Sequence, residues 1–193
     1  GWINYLEKFY PGLIPHASSC KSPMSMLSTL TKTWYAEKKD INPKKIFNVA
    51  VMPCVAKKYE AARAEHLMED GTPYTDAVLT TRELIFMIKS WGVDYWATVE
   101  NENWKMPNPE FDSPLGESTG AADIFGTTGG VMEATLRTAY EKLTGDALGP
   151  IDFTEIRGVE GLKEATIEIA GTKVNIAVAN GLTNARKVLD SVL

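Results

Sequence analysis

The stretch Ile46 to Arg63, IFNVAVMPCVAKKYEAAR, constrains the fold of this chain more than any other. Ile46, Phe47, Val49, Ala50 and Val51 form a short, nearly continuous apolar run rich in β-branched residues. That is the pattern of a strand covered on both faces. Pro53 ends the run, because proline has no N–H to give to a ladder. A helical pattern carrying Lys57, Lys58, Glu60 and Arg63 follows. Cys54 therefore falls between the carboxyl end of a strand and a helix, the place where open α/β sheets bind ligands. A thiol set there and followed by two lysines is favoured as thiolate, the form that binds metal. The competing reading is a structural core cysteine, since free cysteine is among the most buried residue types.

The rest of the chain repeats strand, turn and helix. Trp2, Ile3, Leu6 and Phe9 recur at helical spacing until Pro11-Gly12. Ser22-Pro23 reads as an N-cap and first helical position, opening a helix to about Ala36. Asp76 to Thr80 (DAVLT) is a second short strand, and Thr81 is expected to cap a helix closed by Trp91-Gly92. Two such units in succession argue for a parallel sheet. Glu100 to Gly116, broken by Pro107, Pro109 and Pro114, reads as a long loop. Asp152 to Gly158 is a third strand candidate. Ile167 and Ile169 against Val174 and Ile176, with Ala170-Gly171-Thr172 between them, predict a hairpin. Thr183 is expected to cap a last helix. The fold class is α/β: parallel β-sheet lobes flanked by helices, with a β-hairpin near the C-terminus.

The glycine-rich stretch Gly116 to Arg137 suggests close backbone approach to a ligand. Its spacing fits neither a Walker loop nor a dinucleotide fingerprint. A net charge of −5 argues against nucleic acid as a partner. No run of about 18 apolar residues exists to cross a membrane. Only two cysteines occur, Cys20 and Cys54, which is not a disulfide framework.

Three motifs carry a resemblance. MPCVAKKYE resembles the MPCxxKxxE signature of the [FeFe]-hydrogenase catalytic domain, matching Met52, Pro53, Cys54, Lys57 and Glu60. Ser18 to Pro23 (SSCKSP) is similar to that family's LSSxKSP segment, with Ala17 in place of the leucine. Ile124 to Arg137 (IFGTTGGVMEATLR) is similar to its IFGxTGGVMEAxLR segment. The resemblance runs along the whole chain in family order, so residues 1–193 are expected to be part of the catalytic domain. The family's first cysteine signature, TSCCPGW, would end at Gly1-Trp2, and its last, MACxGGCxxGGG, would follow Leu193.

The resemblance implies a function. The family reversibly reduces protons to dihydrogen at a [4Fe-4S] cubane bridged to a di-iron unit with CO and CN ligands. Carried over by position, Cys54 is a cubane ligand, Lys57 hydrogen-bonds a cyanide, and Ser22 and Pro23 approach the di-iron unit. Met52 and Pro53 belong to the same cluster-side signature, Phe125 packs beside the di-iron unit, and Ser18 is a proton relay. The glycines around Phe125 would allow close packing on a bulky cluster. A cubane takes four thiolates, so the chain by itself is expected to be apo and inactive. The implied partner is an electron donor or acceptor such as ferredoxin or a redox subunit, and the implied compartment is the cytoplasm, with the periplasm left open. Two other readings share these motifs: a hydrogenase-like iron–sulfur assembly protein and a hydrogen-sensing homologue. IFGTTGGVM resembles the hydrogenases more closely than the assembly proteins.

Overall fold

A computed structural model describes residues 1–99, 114–116, 120–149, 154–155 and 160–193. The chain divides into two compact units. One holds Gly1 and Gly12–Gly116, the other Trp2–Pro11 and Glu117–Leu193. Most of the expected Glu100–Gly116 loop lies outside the described residues.

The first unit is built on two parallel strands, β1 (Val49–Val51) and β2 (Ala77–Leu79), in the register Val49↔Ala77, Ala50↔Val78, Val51↔Leu79. Each is followed by a helix, as the strand–turn–helix grammar predicts: α4 (Ala56–Ala61) and α5 (Thr81–Ser90). Helix α2 (Pro23–Leu30) precedes them, with Ser22 as N-cap and Pro23 at the first turn. It continues through a π-helical turn, Thr31–Tyr35, into α3 (Ala36–Lys38). The hydroxyls of Thr29, Thr31 and Thr33 donate to the carbonyls of Ser25, Leu27 and Thr29, four residues back. Such side-chain bonds compete for helix carbonyls and bend helices, which gives a physical reason for the widened turn. A short helix α6 (Tyr95–Val99) ends the described part of this unit.

Two expectations are corrected here. The strand is shorter than the apolar run and is not covered on both faces: Val49 and Val51 stand 49% and 48% exposed, and Phe47 is 71% exposed. With β2 as its one ladder partner among the described residues, β1 leaves Val49 and Val51 half exposed. The cap of α5 is Thr80, not Thr81. Glu83 lies three residues after Thr80, and the two close a reciprocal capping box, Thr80 N–H to Glu83 and Glu83 N–H to Thr80.

The second unit contains helices α1 (Trp2–Phe9), α7 (Ala121–Ile124), α8 (Gly130–Thr144) and α9 (Leu182–Val192) and an antiparallel sheet in the order β3 (Thr154–Glu155), β4 (Leu162–Ile169), β5 (Thr172–Ala179). The hairpin forms as expected, pairing Ile167 with Val174 and Ala165 with Ile176. Its turn is Ala170-Gly171, at φ of 48° and 80°, the two positive φ values of a type I′ turn matched to strand twist. Leu162, Ile169 and Ile176 are buried side chains of β4 and β5. The third strand candidate is represented by Thr154–Glu155, and it pairs antiparallel with β4. The last helix is capped by Gly181 with no side-chain bond, not by Thr183.

Candidate active site

Between β1 and α4 the chain makes a short turn, Met52-Pro53-Cys54-Val55. The Met52 N–H donates to Leu79 O at 2.8 Å, extending the β1–β2 ladder by one bond. The Lys57 N–H then takes the Cys54 carbonyl at 3.1 Å. Cys54 is exposed and carries a free thiol, so the core-cysteine reading is set aside. The two lysines behind it are turned elsewhere. Lys57 Nζ pairs with Glu60 Oε2 at 2.7 Å, and Lys58 Nζ donates to Glu83 Oε1 at 3.0 Å and to Val78 O at 2.9 Å.

Glu60 is the hub of the site. Its Oε1 accepts from the Ser22 hydroxyl in a short hydrogen bond and from the Ser25 hydroxyl at 2.6 Å, while Oε2 holds Lys57. One carboxylate thus joins the KSP turn at the start of α2 to the MPCVAKK turn at the start of α4. Burial by itself would raise the Glu60 pKa. The hydrogen bonds from Lys57, Ser22 and Ser25, with the Lys57 charge, outweigh it and pull the group down to about 2. Sequence reading placed Glu60 in the signature but gave it no role, and it missed Ser25, which is 2% exposed.

A second network lies beneath. Lys32 is 1% exposed, and its ammonium donates to Pro73 O at 2.8 Å and pairs with Asp76 at 2.6 Å. Asp76 Oδ2 in turn accepts the Asn48 N–H at 2.7 Å. The Asn48 side chain donates to Tyr74 O at 2.8 Å and Ser28 O at 3.2 Å. These bonds fix where β1 begins.

The structure thus brings Ser22 and Lys57 together, with Pro23 as the next residue after Ser22. Met52 is half-buried and Pro53 exposed. Ser18 is not in this cluster: its Oγ accepts the Cys20 N–H at 3.2 Å, closing its own turn. Lys21 is held aside, its ammonium donating to Glu65 O at 2.6 Å and standing 3.3 Å from His66 Nδ1.

In the second unit Phe125 follows α7 and is 37% exposed. Two of the glycines after it, Gly129 and Gly130, serve the chain's own packing. A Cβ on Gly130 would sit 1.6 Å from Ile124 O, and one on Gly129, at φ +88°, would meet Val178 at 3.0 Å. At Gly129 and Gly130 the close neighbour is thus protein, while Gly126 meets nothing within 4 Å.

All of residues 1–193 match the family described as iron only hydrogenase large subunit, C-terminal domain. The chain belongs to that family. It is 48% identical over 192 residues to the periplasmic [Fe] hydrogenase large subunit of Nitratidesulfovibrio vulgaris, covering 100% of this chain and 44% of the relative. An apo [FeFe]-hydrogenase HydA1 from Chlamydomonas reinhardtii superposes with a TM-score of 0.77 at 40% identity, over 98% of this chain and 53% of that one. Protein NAR1 of Arabidopsis thaliana is 31% identical, covering 100% of this chain and 42% of the relative. The chain thus spans about half of the length of these relatives. Among the described residues, no helix is long and apolar enough to cross a membrane.

Proposed function

We propose that these residues form part of an [FeFe]-hydrogenase catalytic domain that reversibly reduces protons to dihydrogen. The observation that carries the reading is the Glu60 bridge. It brings Lys57 of the MPCVAKK turn to Ser22 of the KSP turn, with the exposed Cys54 thiol three residues before Lys57.

The donor set fits a [4Fe-4S] cubane with an attached di-iron unit carrying CO and CN. Cys54 is a thiolate ligand, the type cubanes use. Lys57 has three N–H donors and gives one to Glu60, leaving two for an anionic cyanide. Ser22 and Pro23 face the same unit from the start of α2. Met52 and Pro53 add apolar groups on the Cys54 turn, and Phe125 keeps the role that the family resemblance implies, packing on the di-iron unit. Ser18 accepts from the Cys20 N–H and keeps its own hydroxyl proton to hand on, as a relay must. When bound, the cluster supplies the electrons and the iron at which protons are reduced.

A cubane takes four thiolates, and this sequence has two cysteines. In this reading the isolated chain is apo and inactive, and the complete protein works with an electron carrier such as ferredoxin or a redox subunit. One relative is named periplasmic, and either the periplasm or the cytoplasm is compatible with this chemistry. The likeness to the cytosolic Fe-S cluster assembly factor narfl of Xenopus tropicalis keeps iron–sulfur assembly as the second reading, at 30% identity against 48% for the hydrogenase subunit. The test is Cys54→Ala in the complete protein. We expect loss of the cubane's electron paramagnetic resonance signal together with hydrogen turnover. A variant that keeps both sinks the assignment.

A further inference from the structure

We infer that Glu60 is the positioning residue of this site: its carboxylate sets where the Lys57 ammonium and the Ser22 hydroxyl point. The inference rests on the proposed role of Lys57 as the donor to a cyanide ligand.

Geometry carries the argument. Glu60 and Lys57 are one helical turn apart on α4, with side chains 22% and 20% exposed, so the pair is shielded by the protein on most sides. Three donors from two segments converge on the two carboxylate oxygens: Ser22 and Ser25 on Oε1, Lys57 on Oε2. A long lysine side chain has many rotamers, and holding it in one costs entropy. The bond to Oε2 selects a single direction for the ammonium before any ligand arrives. The Ser22 hydroxyl is committed in both senses. Its proton goes to Glu60, and its oxygen accepts the Ser25 N–H at 3.4 Å. Ser22 therefore meets a ligand as part of a Glu60-held turn and has no free proton to give. Glu60 itself needs no contact with the cluster. Gln at this position keeps the volume and one acceptor oxygen. Its NH₂ group, however, sets a donor against either the ammonium or the two hydroxyls.

The experiment uses the complete, matured protein with Glu60→Gln, Lys57→Ala and the double variant, read by the cyanide infrared bands. We expect Glu60→Gln to move the bands, and the double variant to move them no further than Lys57→Ala does. Bands that stay in place in Glu60→Gln overturn the inference, as do additive shifts, which would mean Glu60 acts apart from Lys57. If wild type shows no cyanide bands at all, the hydrogenase reading falls, and the inference is decided without a cluster. In [15N]lysine-labelled protein the hydrogen-bonded Lys57 ammonium should give a signal that Glu60→Gln abolishes, while that of the buried Lys32 persists as a reporter of folding. A Lys57 signal unchanged in the variant overturns the inference. If Lys32's signal is lost too, Glu60→Asp replaces Gln: it keeps the charge but retreats by one carbon. It should shift the Lys57 signal and the bands, and no shift counts against the inference.

Discussion

Lys32→Met removes one charge from a pair that water barely reaches. Lys32 is 1% exposed and its partner Asp76 12% exposed, and they lie 2.6 Å apart. Methionine has nearly the same shape, so little cavity forms and the apolar stem stays packed. What is lost is the ammonium with its bonds to Pro73 O and Asp76. The Asp76 carboxylate is left with the Asn48 N–H as its remaining bond shown here. Removing one partner of a buried pair costs about 3–5 kcal/mol, because the other charge stays behind uncompensated. That is a large part of the roughly 5–15 kcal/mol that holds a domain folded. The assay is urea unfolding of the protein followed by tryptophan fluorescence, with Trp34 two residues from the mutated site. Adding Asp76→Asn should recover part of the loss. It removes the stranded charge, and its amide oxygen can still accept from Asn48. Coupling between such neighbours is typically about 0.5–3 kcal/mol. A loss below about 1 kcal/mol in Lys32→Met, within the range of an exposed pair, would refute the reasoning.

Gly130→Ala drives a Cβ to within 1.6 Å of Ile124 O and should cost about 1–3 kcal/mol by overpacking. Gly126→Ala meets nothing within 4 Å and should lie within about 0.5 kcal/mol of wild type; equal thermal midpoints for the two would refute the packing account. Glu60 titrates at about 2 in the folded chain against an ordinary 4.5. Its contribution is therefore complete above about pH 4.5 and lost as pH falls toward 2. Glu60→Gln should flatten that part of an acid-unfolding curve, and an unaltered slope between those values would count against it.

Local patterns were legible where a segment's own residues decide its structure. The apolar β-branched run gave β1, the Ser22-Pro23 pair gave the start of α2, and the alternating hairpin gave β4 and β5. The cap of α5 was misplaced by one residue at Thr81, although Glu83 stands at the capping-box spacing from Thr80. What could not be read is whatever depends on distant partners. Lys32 looks like a surface residue of a helix until Asp76, 44 positions away, is folded against it. Glu60 reads as one more charge on α4 until Ser22 and Ser25, 38 and 35 positions away, point at it. Burial of β1 was over-read for the same reason. Apolar character says a face is suited to be covered, but which element covers it is a property of the fold.

These polar partners do the positioning that a large core would otherwise do. In the first unit, Leu13, Ala36 and Val78 are the buried apolar side chains among the described residues, against Ser25, Ser28, Lys32 and Thr75 as buried polar ones. Apolar contact is non-directional and tolerates sliding, and two strands of three residues offer little to resist it. Hydrogen bonds are directional, and a buried network with every member satisfied specifies one arrangement. Here no buried side-chain polar atom among the described residues lacks a partner. The Lys32–Asp76–Asn48 chain fixes the start of β1, and Met52 N–H on Leu79 O fixes its end. Cys54 comes two residues later, with Glu60 tying the following helix to α2. A one-residue slip in β1 would turn alternate side chains to the opposite face and displace the Cys54 thiol with them. The thiol's place is thus set by charges and amides that no ligand needs to touch.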